Sequence, residues 1–196
     1  MRIGDFGLAR VQADVDVQQG QMTNQVVTRW YRAPELLLGA KHYTDRVDMW
    51  SVGAILAELL LRTPYFAGES DIGQLTLIFK ALGTPVEKEW PGMASLPLHF
   101  SFATYPRVPL SSLFTAASND TLDLLAGCLM FNPLKRWSAL ECLESPYFSK
   151  APGPTPPHLL PRHVKPKDVA EVKRKLVWDQ EEEDSSSMAH VRRKLF

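Results

Sequence analysis

The run VDMWSVGAILAELLL, residues 47–61, constrains this chain more than any other stretch. Apolar side chains fall on every side of its helical projection, interrupted only by Asp48, Ser51 and Glu58. A helix apolar all round has no face to offer water, so the run is predicted to be the buried central helix of its domain, over about 45–61. Thr44 or Asp45 stands where the N-cap belongs. The run falls short of the roughly 20 residues that cross a bilayer, and it carries two carboxylates.

The rest of the chain can supply the cover. A length of 196 residues suits one domain of ordinary size plus a tail, and 45% hydrophobic residues suffice for a core. Lysines and arginines number 22 and acidic residues number 22, so no global field draws the chain to nucleic acid or a membrane surface. Neither is expected as a direct partner. Cys128 and Cys142 sit in apolar helical contexts and read as reduced core residues of an intracellular protein, not as a disulfide framework. The start lacks a basic stretch followed by an apolar one, so a secretory signal is not expected. His42, His99, His158, His163 and His190 show no metal-ligand spacing.

Residues 1–8 read as a strand end and turn, and 11–24 as a polar loop. APELLLG starts a helix with Pro34 and stops it with Gly39. SDIGQLTLIFKALG is an amphipathic helix, capped by Ser70, ended by Gly83 and apolar at 72, 75, 78, 79 and 82. Five prolines make 84–118 irregular. SNDTLDLLAGCLMF and SALECLESPYF read as two further capped helices. After Phe148, APGPTPPHLLPRHVKPK is too rich in proline for regular structure, and a charged tail with QEEEDSSS reads as disordered. The expected folded body is 1–149, nearly all helical, with 150–196 as its tail.

Asp5-Phe6-Gly7 alone would be a chance turn. Downstream, however, stand VVTRWYRAPELL at 26–37, DMWSVGAILAEL at 48–59 and NPLKRWSALECL at 132–143. This order and spacing resemble the C-lobe of a protein kinase, specifically the C-terminal part of a cyclin-dependent kinase. LGTPVEKEWPGM, FNPLKR and PGPTP are most similar to the subfamily of cyclin-dependent-kinase-activating kinases found in general transcription factor TFIIH. The fold class implied is protein-kinase-like, the mostly α-helical C-lobe.

The resemblance implies roles for particular residues. Asp5 matches the aspartate that holds magnesium against the phosphates of ATP. Residues 8–25 match the activation loop, with Thr23 at the activating phosphosite and Arg10 as a partner of that phosphate. Thr28 matches the threonine that contacts the catalytic aspartate and lysine. Val27 and Arg32 resemble the pair shaping a pocket for a proline after the phospho-acceptor. Glu35 is expected to form a buried ion pair with Arg136, and Asp48 to hold the backbone of the catalytic loop. The family transfers phosphate from ATP, with Mg2+, to serine or threonine. Its targets are activation loops of other kinases and the RNA polymerase II tail, and its partners are a cyclin of the H type and an assembly factor.

The sequence contains no GxGxxG, no VAIK-like strand and no HRDxxxxN. A partial gene model, or a start at an internal methionine, is therefore the expectation, and the chain by itself is expected to be inactive. The rival reading is a non-catalytic module that binds substrates or partners. KRK at 173–175 and RRK at 192–194 suit nuclear localisation or simple solvation, so the expected location is nuclear, cytoplasmic or both. RKLF at 193–196 resembles a short cyclin-docking peptide.

Overall fold

The computed structural model describes Gly4 and residues 29–161. The expectations for the opening strand and turn, the activation loop, the basic clusters and RKLF lie outside these residues. The chain divides into two compact units, Met1–Ala151 and Pro152–Phe196.

In the first unit the described residues contain helices and turns and no strand. A 3-10 turn, Arg29–Tyr31, leads into α1, Pro34–Leu37, whose first position is held by Pro34. The chain reverses at Gly39, whose φ of +79° is left-handed. α2 spans Arg46–Leu61. Its Asp45 already has helical dihedrals and makes no side-chain cap, while the Thr44 hydroxyl oxygen accepts the Arg46 N–H at 3.4 Å. It stops at Arg62, a left-handed residue with φ +59° that no glycine announces.

The expectation of all-round burial for this helix fails. Met49, Trp50, Gly53, Ala54 and Ala57 are buried, whereas Val52, Leu59 and Leu60 are 48%, 61% and 41% exposed. Within the described residues the packing partners of α2 come from one side, and the opposite apolar face has no cover. On the covered side α5, Asn119–Cys128, approaches closely. A Cβ on Gly53 would stand 2.7 Å from the Cβ of Cys128, so only glycine permits this crossing. Trp50 stacks on Phe66 at 6.1 Å, and Phe131 fills the space between Trp50, Phe79 and Trp90.

α3, Asp71–Leu82, begins under a Ser70 cap that accepts the Gly73 N–H at 3.0 Å. Leu75, Ile78, Phe79 and Leu82 are buried as the periodicity requires, but Ile72 is 55% exposed and Gln74 is fully buried. The segment 84–118 holds only a 3-10 turn, Met93–Ser95, and one helical turn, α4, Leu110–Leu113. It loops back where the Thr84 N–H donates to the Tyr105 carbonyl at 3.0 Å, and Trp90, Met93 and Phe114 anchor it in the core.

SALECLESPYF was expected to be one helix and forms two, α6 at Ala139–Leu143 and α7 at Pro146–Ser149. Pro146 lacks an N–H and forces the residue before it out of the helical region, and Ser145 is extended at φ −65°, ψ 149°. In the second unit, described to residue 161, the proline-rich stretch is exposed and carries a single 3-10 turn, Pro157–Leu159. No helix among the described residues is long and apolar enough to cross a membrane.

Candidate functional site

Arg136 has no exposed surface, and its Nη1 and Nη2 donate to the two carboxylate oxygens of Glu35 at 2.7 and 2.9 Å. Its remaining hydrogen-bonding capacity is used as well. Nε reaches the Met130 carbonyl at 2.9 Å, Nη1 the Arg46 carbonyl at 2.8 Å and Nη2 the Phe131 carbonyl at 3.3 Å. Arg46 returns a hydrogen bond from Nη1 to the Arg136 carbonyl. The guanidinium also lies 5.2 Å from the Trp50 ring centre. One side chain thus joins α1, the first turn of α2 and the turn between α5 and α6. A buried ion pair repays its desolvation only when every donor is met, and here each is.

The stretch before α1 is tied down on both sides. The Tyr31 hydroxyl donates to Glu58 at 2.7 Å, which raises the Tyr31 pKa, and the Ser51 hydroxyl donates to the Tyr31 carbonyl at 2.9 Å. Toward α3, Arg29 Nε meets Asp71 at 2.8 Å, and the buried Arg32 lies 3.5 Å from the same carboxylate. Gln74 accepts the Gly68 N–H at 2.7 Å and donates to the Trp30 carbonyl at 3.1 Å. The indole of Trp30 donates to the Gly68 carbonyl at 3.2 Å.

Of the residues singled out in the sequence, the structure brings together Glu35 and Arg136, while Arg32, two residues before α1, lies against Asp71 of α3. Asp48 stands apart on the first turn of α2, and its partly covered carboxylate makes no side-chain hydrogen bond or ion pair among the described residues. Burial of its carboxyl and the neighbouring Asp45 push its pKa up. Asp5, Arg10, Thr23, Val27 and Thr28 lie outside the described residues. Sequence reasoning missed Asp71, Gln74, Tyr31 and Glu58. The one available signal was Gln74, a polar residue next to Leu75 on the helix side that faces the core.

No group of three His, Cys, Asp or Glu among the described residues could hold a metal ion. A cavity of about 510 Å3, lined among others by Leu82, Arg107, Leu122, Phe131 and Lys135, contains none of the site residues that the sequence resemblance implied. Cys128 and Cys142 are free and buried with sulfurs 3.6 Å apart, and burial pushes the Cys128 thiol up to about 12.

A family model described as the protein kinase domain matches residues 1–148. This chain belongs to the protein kinase family. Its relatives are cyclin-dependent kinases. Cyclin-dependent kinase 7 of Carassius auratus is 48% identical over 196 residues, which cover 100% of this chain and 56% of the relative. The Xenopus laevis protein of the same name is 52% identical over 162 residues, 83% of this chain and 45% of its own length. The serine/threonine-protein kinase KIN28 of Saccharomyces cerevisiae is 48% identical over 160 residues, covering 80% and 51%. Among solved structures, the CAK complex of Chaetomium thermophilum bound to ATP-gamma-S matches with a TM-score of 0.75 at 42% identity, over 82% of this chain and 50% of that one. This kinase chain therefore spans about half the length of the relatives it matches, and its described helices form a kinase C-lobe.

Proposed function

We propose that this chain supplies the C-lobe of a proline-directed serine/threonine kinase of the cyclin-dependent kinase 7 and KIN28 group. In the complete protein ATP and Mg2+ supply and activate the transferred phosphate, and Asp5 is the residue of this chain that would hold the metal. Thr28 supports the catalytic residues, Val27 and Arg32 form the pocket for the proline after the acceptor, and Thr23 with Arg10 orders the activation loop when phosphorylated. A cyclin of the H type and an assembly factor are the partners. The substrates are kinase activation loops and the polymerase tail, in the nucleus.

The observation that carries this reading is the Glu35–Arg136 pair. It fixes WYRAPE, the end of the substrate-facing segment, to the core through a double hydrogen bond that leaves the segment one position. The last turn before α1 is then rigid enough to present Arg32. The test is a chimera in which residues 1–149 replace the matching part of the Xenopus laevis kinase, assayed with its cyclin on a polymerase-tail peptide. Activity that falls on Thr28→Ala and on Arg32→Ala, the latter chiefly through KM for the peptide, is expected. A chimera that folds, binds cyclin and phosphorylates nothing would overturn the reading.

A second reading, a non-catalytic module, is favoured by the exposed face of α2 at Val52, Leu59 and Leu60 and by the lack of a catalytic-loop motif in the chain. Under it the isolated chain binds a partner through that face without chemistry.

A further inference from the structure

Four serines or threonines precede a proline in this chain, Thr63, Thr84, Ser145 and Thr155. A kinase that requires proline at the following position needs the acceptor hydroxyl free and a few residues on each side able to lie extended in its groove. Three of the four fail. Thr84 has its hydroxyl engaged, donating to the Ala103 carbonyl and accepting the Tyr105 N–H, both at 2.9 Å. Ser145 is 5% exposed and its hydroxyl is enclosed between α6 and α7. Thr63 is exposed, but the chain after it turns inward through half-buried Tyr65 to Phe66 at 1% exposure. Each of these would have to open locally before it could be modified.

Thr155 meets every requirement. It and its neighbours from Ser149 to Pro161 are exposed, and among the described residues its hydroxyl has no hydrogen-bond partner. Residues 153–156 have no helical or turn assignment, and Pro156 has the extended dihedrals φ −53°, ψ 141°. Prolines at 152, 154, 156 and 157 stiffen the stretch. A segment already extended loses little conformational freedom when laid in a groove. Around Gly153 a Cβ would meet nothing within 4 Å, so the approach is open. Between 152 and 161 the one ionisable side chain is His158, so an added phosphate meets no like charge there.

We infer that Thr155 is a phospho-acceptor site for proline-directed kinases. Its hydroxyl oxygen bonds to the γ-phosphorus of magnesium-bound ATP, the bond from that phosphorus to ADP breaks, and the hydroxyl proton passes to the kinase's base. The acceptor role depends on this segment's own geometry and not on the activity proposed above, so the test supplies an independent kinase. The 196-residue chain is incubated with Mg–ATP and an active cyclin-dependent kinase with its cyclin, and occupancy at each site is read by tandem mass spectrometry. A standard Ser-Pro peptide in the same tube reports that the kinase works.

Thr155 should carry about tenfold or more phosphate than Thr63, Thr84 or Ser145, because those must first open. Pro156→Ala should cut Thr155 occupancy about tenfold, since it leaves an N–H unpaired against the kinase. This substitution lies in an exposed, irregular segment, so folding does not confuse the result. Comparable phosphate at the other three sites, an undiminished Pro156→Ala variant, or an unmodified Thr155 beside a phosphorylated control peptide would each overturn the inference.

Discussion

Glu35 and Arg136 stand 101 residues apart and are joined by two hydrogen bonds, 2.7 and 2.9 Å long, with 3% and 0% of their surfaces exposed. Removing either partner leaves a charge in the core with nothing to answer it, at a cost of about 3–5 kcal/mol. Arg136→Ala and Glu35→Gln are each expected to destabilise the chain strongly in urea unfolding. Arg136→Lys should fail as well, because an ammonium cannot make the planar double contact or reach the Met130 and Phe131 carbonyls. The double variant should cost clearly less than the sum of the singles. Additive losses would show that the two side chains act separately.

The exposed face of α2 gives a second prediction. Val52, Leu59 and Leu60 lie open to water on the helix that the sequence marks as central. Apolar surface of this kind recruits either a partner or other copies of the chain. The isolated chain should bind a hydrophobic dye and elute as oligomers, and Leu59→Lys with Leu60→Lys should reduce both. A monodisperse monomer that binds no dye would contradict this.

Asp48 gives a third, with opposite signs in two settings. Burial and then Asp45 raise its pKa in the folded chain, so its contribution is favourable below the unfolded value of 3.8 and is lost as pH rises through the folded value. At neutral pH the carboxylate therefore costs stability. Asp48→Asn should raise the neutral-pH thermal midpoint of the isolated chain, with the gain fading below about pH 4. In the Xenopus laevis chimera the same substitution should lower activity, which tests the role that the resemblance implies for Asp48 in holding the catalytic-loop backbone. A lower midpoint in the isolated chain would sink this account.

How much of this was legible in the sequence depends on where each signal resides. Local chemistry reads well. Ser70 and Ser118 cap their helices, Gly83 ends α3 with φ +88°, and Ser138 with Glu141 makes a full capping box. What reads poorly is set by distant packing. Leu59 and Leu60 are no less apolar than Ala54, and only the placement of α5 decides which side is covered. Ile72 and Gln74 exchange their expected places because the chain from Arg29 to Gly68 needs a buried amide for its backbone groups. Pro146 divides a helix that its apolar spacing alone would have continued. The Asp71 contacts to Arg29 and Arg32 join positions about forty apart, which no local pattern reveals.

Glu141 offers a prediction on acid behaviour. The Ser138 N–H, then its hydroxyl, then Arg46 hold the carboxyl at about 2 instead of 4.5. Stability from this group is present above the unfolded value and is lost as pH falls through the folded one. Its carboxyl carbon should still titrate as ionised at about pH 3 by NMR, and Glu141→Gln should flatten the stability profile between the two values. A midpoint at the ordinary 4.5 would show that the capping box does not hold in solution.

The most direct test of the account is a phosphorylation assay on the 196-residue chain alone. Positioning of the phosphates and of the acceptor requires a glycine-rich loop, a strand lysine and a catalytic loop, and this sequence contains none of the three motifs. With Mg–ATP and a polymerase-tail peptide, the chain and its Asp5→Ala variant should both transfer no phosphate above background. Phosphorylation by the chain that disappears in Asp5→Ala would contradict the reading of residues 1–149 as a lobe that cannot catalyse by itself.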